Sequence, residues 1–492
     1  MSKRLISIFI IVLFGLLLFA NSVVEQAIQY AENVTQKIKQ YGFLWYASPN
    51  KEFFEEFEKF NVTSIDEIMR KINGTRELPE EVKSKIFNYL NLLRNNNGKI
   101  APDSMTTTDD LMMASFILIK PENITDKTFY RLEPVKDQYM HGSCWAFSTA
   151  AMMESAYAVQ VLNKEEGNIN NLVDFSERWA AYHNIDWDVY VKSKYEYVQD
   201  KNSLEGGNVY FSSYNMIRYG MVKEESAPYE DVYLVSDEVI PLPPQAYRAP
   251  RIKASKTVMI PDAKSSKTLG YSYDDYINMI KTALKKFGSL SVAYTVPKDF
   301  GSYSKGIYVP TTSENSGGHA VTLVGWVDGK DLDDVVLAER VDPSASTILD
   351  VELPDGSYTY YDPTVDATFT TNLFWIIKNS WGYSWGDGGY YVVPAISKEA
   401  YENGKVGWWM IENRNMYISI FDSLAKHEGD SLDCNNDGVV NIDDFKYLVS
   451  KIGTTNSEEI SKFDISFPED GKVDGNDAAT WVYLYNKLYG KK

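Results

Sequence analysis

The stretch Gln138-Tyr-Met-His-Gly-Ser-Cys144-Trp-Ala-Phe runs directly into the apolar-periodic segment Trp145–Leu162, and this junction limits the folds open to the chain. A tight turn must deliver the backbone into a helix that starts at a cysteine. The apolar periodicity of Trp145–Leu162 is read as the helix that begins at the cysteine. Its N-terminus offers partial positive charge, which favours thiolate over thiol at Cys144. Gln138, six residues earlier, supplies an amide donor of the kind that stabilises a developing oxyanion. Two later segments carry the groups a thiol nucleophile needs: Gly317-Gly318-His319-Ala-Val-Thr-Leu-Val-Gly-Trp and Trp375-Ile-Ile-Lys-Asn379-Ser-Trp381-Gly.

In the order Cys, His, Asn, these segments resemble the papain-like cysteine proteases over roughly residues 126–420. The resemblance implies an α+β, two-lobed protease with a helical left lobe and a β-barrel-like right lobe. It implies that Cys144 attacks as thiolate, that His319 pairs with it and protonates the leaving amine, and that Asn379 fixes the imidazole. Gln138 and the Cys144 N–H would form the oxyanion hole. Trp381 would shield the His–Asn bond, and Gly206-Gly207, Ala293 and Gly317-Gly318 would line the substrate cleft. Because none of these is bulky or charged, the pocket for the second residue from the scissile bond is expected to be apolar and roomy. Taken singly, a cysteine is more often a buried hydrophobe and a histidine a satisfied surface group. With four histidines in the chain, the joint presence of all five motif residues outweighs that reading. His141 stands where the family commonly has a further cysteine and is read as a structural replacement.

At 492 residues the chain is too long for a single core. Lys3 and Arg4 precede an apolar run, Leu5–Ala20, with small residues at Ala20 and Ser22. Residues 1–22 are therefore read as a signal peptide, with an uncleaved anchor as the alternative, and the protein as secreted or held at the cell surface. Its two cysteines, Cys144 and Cys434, are read as free thiols. The net charge of -19 argues against nucleic acid as a partner. Residues 23–125 read as mostly helical, with three- and four-residue apolar spacing over Glu52–Phe60 and Glu80–Leu93. The resemblance implies an inhibitory pro-region; a plain helical accessory domain is the alternative. Sequons at Asn33, Asn61, Asn73 and Asn123 are read as surface markers if the host glycosylates and as chance matches otherwise. The acidic stretch Asp328–Tyr361 is expected to form an extra surface hairpin.

After a short linker, 421–429, the composition changes. Asp433, Asn435, Asp437, Val439 (through its carbonyl), Asn441 and Asp444 occupy the liganding positions of a twelve-residue calcium loop, with Gly438 at the turn. A second, altered copy places Asp464, Ser466, Asp470, Lys472 (carbonyl), Asp474 and Asp477, two residues too long and bulged between Ser466 and Asp470. Residues 430–492 thus resemble a small all-α dockerin. The resemblance implies two structural Ca2+ ions and a cohesin-bearing partner chosen in part by Ile442-Asp443 and Gly475-Asn476. The whole reads as a secreted cysteine endopeptidase zymogen recruited through its dockerin. The alternatives are a catalytically silent assembly protein and a thiol-dependent acyl transferase.

Overall fold

The computed structural model describes residues 22–488, less 97–111, 164–166, 169–172, 195–203, 233–241, 335–336, 338–352, 422–431, 436–440, 466–470 and positions 114, 126, 127, 133, 205 and 433. Residues 1–21 of the expected signal peptide, 1–22, therefore lie outside the described residues. No helix among them is long and apolar enough to cross a membrane.

The N-terminal region is helical, as its periodicity predicts. Helix Val23–Tyr41 opens on a capping box, Ser22 Oγ accepting from Glu25 N and the Glu25 carboxylate from Ser22 N, and stops at Gly42 in the left-handed conformation. Helix Lys51–Glu58 turns Phe53, Phe54 and Phe57 inward. Helices Ile65–Ile72 and Glu80–Asn95 follow, the first capped by Ser64. Between the first two helices, strand Trp45–Ala47 pairs antiparallel with Tyr303–Gly306, and Trp45 Nε1 donates to Val309 O at 3.0 Å. The N-terminal region and the protease therefore share one core, in which the three phenylalanines lie with Trp381 and Trp385.

Helix Cys144–Gln160 is the centre of the fold. Every residue from Cys144 to Ala156 is buried, as a nearly uncharged helix requires. On one side it meets helices Glu177–Tyr182 and Val209–Arg218; on the other it meets a mixed sheet. In that sheet the strands follow the order 390–394, 373–378, 315–328, 290–297, 416–420, 256–260 and 116–117, antiparallel except for the last pair. Ser148 Oγ fastens helix to sheet, donating to Val321 O and sharing a bond with Ser291 Oγ, both at 2.5 Å. Gly288 (φ +112°) must be glycine, since a Cβ there would lie 2.7 Å from Ser155 Oγ.

Two expectations are corrected. The extra hairpin lies further along than expected, as Tyr358–Asp362 paired with Ala367–Thr371, and it is not merely a surface feature. Tyr358, Tyr360 and Phe369 are buried, Leu44 N donates to the Tyr358 hydroxyl, and Tyr361 stacks on Tyr41. The Asn73 sequon is also not a surface position: Asn73 is 7% exposed and its Nδ2 donates to Ser316 O.

The C-terminal unit has helices Ile442–Ser450, Ser457–Phe463 and Gly475–Leu488 around a small core of Leu432, Cys434, Leu448, Phe463, Ile465, Val473 and Trp481. Cys144 and Cys434 are both free thiols, as expected.

Phe53 stacks on Trp381 at 5.7 Å and packs edge-on against Phe54 and Phe57. Phe53→Ala should therefore destabilise the intact chain by about 3–5 kcal/mol, seen as a lower denaturation midpoint. An unchanged midpoint would show that this aromatic contact contributes nothing.

Candidate active site

Cys144 is the first residue of its helix, as the sequence requires, and is fully buried. Its Sγ receives the backbone N–H of Ala320 at 3.4 Å, so the residue following His319 touches the sulfur. His319 sits in strand Asn315–Asp328, opposite Tyr294, with no exposure. Its Nε2 and Asn379 Oδ1 are 2.7 Å apart, and Asn379 Oδ1 also accepts from Ser380 N. An acceptor oxygen at Nε2 fixes the proton there in the neutral ring, leaving Nδ1 as the basic nitrogen. The Trp381 ring lies 4.8 Å from the His319 ring and is itself 1% exposed, so water is kept from the His–Asn pair.

Gln138 is held on both sides of its amide. Its Oε1 accepts from Ser380 Oγ at 2.6 Å, which aims Nε2 the other way, at the carbonyls of His141 (2.6 Å) and Ile72 (2.7 Å). The donor expected to meet an oxyanion thus already holds a carbonyl oxygen. Behind it, Lys136 binds Glu154 of the central helix together with Asp174 and Glu177 and anchors the segment that leads to Gln138. His141 is buried, with its ring edge-on to Tyr229, in keeping with a structural role.

The carbonyl at Gln138 belongs to the N-terminal region, whose segment Ile72–Glu77 crosses the site. Thr75 N donates to Gly318 O, Arg76 N to Gly207 O, and Gly207 N to Gly74 O, all between 2.7 and 3.0 Å. The Thr75 hydroxyl lies 3.3 Å from Cys144 Sγ. The glycines at the cleft are needed for this approach: a Cβ on Gly318 would sit 2.4 Å from Thr75 O, and one on Gly207 2.5 Å from the Trp145 ring. Gly206, Gly207, Gly317 and Gly318 therefore line a groove that takes an extended chain. Ala293 lies beside it, opposite Ala320 on the neighbouring strand.

The crossing segment also changes the charges. Burial pushes the Cys144 thiol up, although hydrogen bonds from Thr75, Ala320, Gly74 and Trp145 pull the other way. Burial likewise lowers His319 to about 4, against a partial opposing effect of Asn379. In this closed form burial thus works against both members of a thiolate–imidazolium pair. Closure therefore favours the proton on Cys144 over His319, because burial disfavours the charged form of each.

Sequence reading found Gln138, Cys144, His319, Asn379, Trp381 and the glycines, and the structure brings all of them to one cleft. It missed Ser380, which orients Gln138 and whose place beside Asn379 was the available signal. It also missed Thr75 and Arg414. Of the loop ligands expected in the C-terminal unit, Asn435, Asn441, Asp444, Asp464, Lys472, Asp474 and Asp477 are described, whereas Asp433, Asp437, Val439, Ser466 and Asp470 lie outside the described residues. Among the described residues no group of three His, Cys, Asp or Glu side chains forms a metal cluster.

Gly74→Ala tests the closed state, because its Cβ would lie 1.8 Å from Gly142 O and must expel the segment. The expected result is alkylation of Cys144 by iodoacetamide at pH 7 at least roughly tenfold faster than in the unsubstituted chain, as the thiolate fraction recovers. Equal rates would mean that the segment does not control the thiol.

The papain family cysteine protease model matches residues 121–406. Among curated proteins, cysteine proteinase 2 of Dictyostelium discoideum is 27% identical over 290 residues, covering 56% of this chain and 64% of that one. Cathepsin B-like CP2 of Giardia intestinalis is 26% identical over 316 residues, covering 64% and 79%. The chain thus spans just under two thirds of the Dictyostelium protein's length. Among solved structures, proCathepsin B S9 from Trypanosoma congolense has a TM-score of 0.44 at 13% identity, covering 80% of this chain and 97% of that one. The family match extends over more than half of the chain and takes in Cys144, His319 and Asn379, so the chain belongs to the papain family of cysteine proteases.

Proposed function

We propose that this protein is a secreted cysteine endopeptidase made as a self-blocked precursor and recruited to its place of work by the C-terminal unit. The observation that carries the catalytic part is the His319–Asn379 bond of 2.7 Å beside a cysteine at a helix N-terminus. Once the segment Ile72–Glu77 leaves, water returns to the cleft, and the Cys144 proton can pass to His319 Nδ1. The thiolate attacks the peptide carbonyl, while Gln138 Nε2 and the Cys144 N–H receive the oxyanion. His319 returns the proton to the leaving amine, and water then hydrolyses the thioester. Asn379 holds the ring throughout, and Trp381 keeps water from that bond.

The C-terminal part of the proposal rests on the two loop closures. Asp444 and Asp477 are fully buried and make matching bonds, accepting from Asn441 N at 2.8 Å and from Asp474 N at 2.7 Å. Among the described residues no lysine or arginine pairs with Asp444, and a buried carboxylate in an oxygen-rich loop fits a hard divalent ion. Asn435, Asn441 and Asp444 in the first loop, and Asp464, Lys472 through its carbonyl, Asp474 and Asp477 in the second, would hold Ca2+, which would supply folding free energy there. Ile442, Asp443, Gly475 and Asn476 are exposed, as contacts for a cohesin-bearing partner would be.

Hydrolysis of peptides by the processed chain should depend on a thiol reductant and vanish in Cys144→Ala. Cleavage that survives this substitution would refute the assignment, and silence of the processed, folded protein across varied peptides would favour the assembly role. Chelation of calcium should make residues 442–488 sensitive to added protease and leave peptide hydrolysis intact. Equal protease resistance with and without chelator would remove the calcium sites from the proposal.

A further inference from the structure

One charged group in the cleft has no part in the bond-breaking chemistry. Arg414 lies just before strand Met416–Ile420, and its side chain is 24% exposed. Its Nη1 pairs with Glu77 Oε1 at 3.0 Å, and its Nη2 reaches Thr295 Oγ1 at 3.5 Å. Thr295 faces Gly318 across the sheet, and Gly318 O holds the backbone of Thr75. Arg414 therefore borders the same groove that the crossing segment fills. Glu77 sits two residues beyond Thr75, the residue at the sulfur.

Among the described residues Glu77 is the one carboxylate within ion-pair distance of Arg414. Glu77 is also bound by Lys83 at 2.6 Å, and these two cations hold its carboxyl below the usual range against the opposing effect of burial. Lys83 belongs to the N-terminal region and departs with it. Arg414 belongs to the protease and stays, facing an open groove without its carboxylate. The uncharged pocket expected from Ala293, Gly317 and Gly318 thus has a guanidinium at its border.

We propose that Arg414 makes the open enzyme select peptides with an acidic side chain, glutamate above aspartate, two residues from the one seated at Cys144. Glu77 occupies that subsite in the closed form. The argument rests on the endopeptidase assignment above. A guanidinium–carboxylate contact in a half-buried groove is a charge-assisted pair with planar geometry, and a neutral isostere at the same place forfeits it. Glutamate has the reach that Glu77 shows, and aspartate is one methylene shorter.

The test uses the full chain after proteolytic processing, with enzyme concentration set by titration of Cys144. Peptides carry Glu, Gln, Leu or Lys in turn at each of the three positions on either side of the scissile bond. At one position kcat/KM for Glu should exceed that for Gln roughly tenfold or more, and the ratio should shrink with added salt. In Arg414→Gln the ratio should fall to about one, and in Arg414→Glu, Lys should become the preferred residue. Because each comparison is a ratio within one preparation, partial misfolding of a variant does not affect it. Cleavage of the neutral peptides with no acidic preference at any position would overturn this inference alone. A preference that persists in Arg414→Gln would also overturn it, by assigning the selection elsewhere. Failure to cleave any peptide would overturn the endopeptidase assignment and this inference with it.

Discussion

Burial of helix Cys144–Gln160 around its whole circumference is the constraint that the rest of the protein satisfies. A helix with one charge in its length cannot face water, so helices cover one side and the sheet the other. The cover is finely fitted, with a glycine at 288 to clear Ser155 and a serine at 148 to fasten the sheet. Its single charge, on Glu154, is matched by Lys136, and that ion pair also fixes the segment presenting Gln138. The nucleophile is therefore precise because its helix cannot move without unpacking both halves.

As the self-blocked precursor proposed above, the closed chain would be silenced by two physical means at once. The segment Ile72–Glu77 occupies the groove with backbone hydrogen bonds of the kind a peptide would make. It also dries the site, and drying disfavours both members of the ion pair that reactivity requires. The two effects reinforce each other. Anything that loosens the segment admits water, and water in turn favours the charged pair.

Much of this was legible in the sequence, and what was legible had a local signature. The central helix, the strands around His319 and Asn379, and the helices before residue 96 announce themselves through periodicity and caps. The cleft glycines and the Cys, His and Asn residues announce themselves through short motifs. What was not legible depends on residues far apart in the chain. Arg414 and Glu77 carry no motif, and only folding reveals that they meet. Asn73 reads as a surface sequon because its burial comes from Ser316, 243 positions away. The hairpin at 358–371 was placed too early because turn-rich, acidic residues signal a loop, whereas its tyrosines face the N-terminal region.

Strand Trp45–Ala47 does more than join the N-terminal region to the protease. It covers the edge of Tyr303–Gly306, and its indole fills a site beside Val309. When the N-terminal region departs, the protease is left with an uncapped rim of peptide groups and an indole-sized hollow next to it. Such a rim is adhesive towards any extended chain, including another copy's. The event that switches on catalysis thus also makes the molecule stickier, and the acidic excess of the remaining chain keeps like molecules apart while that edge is bare.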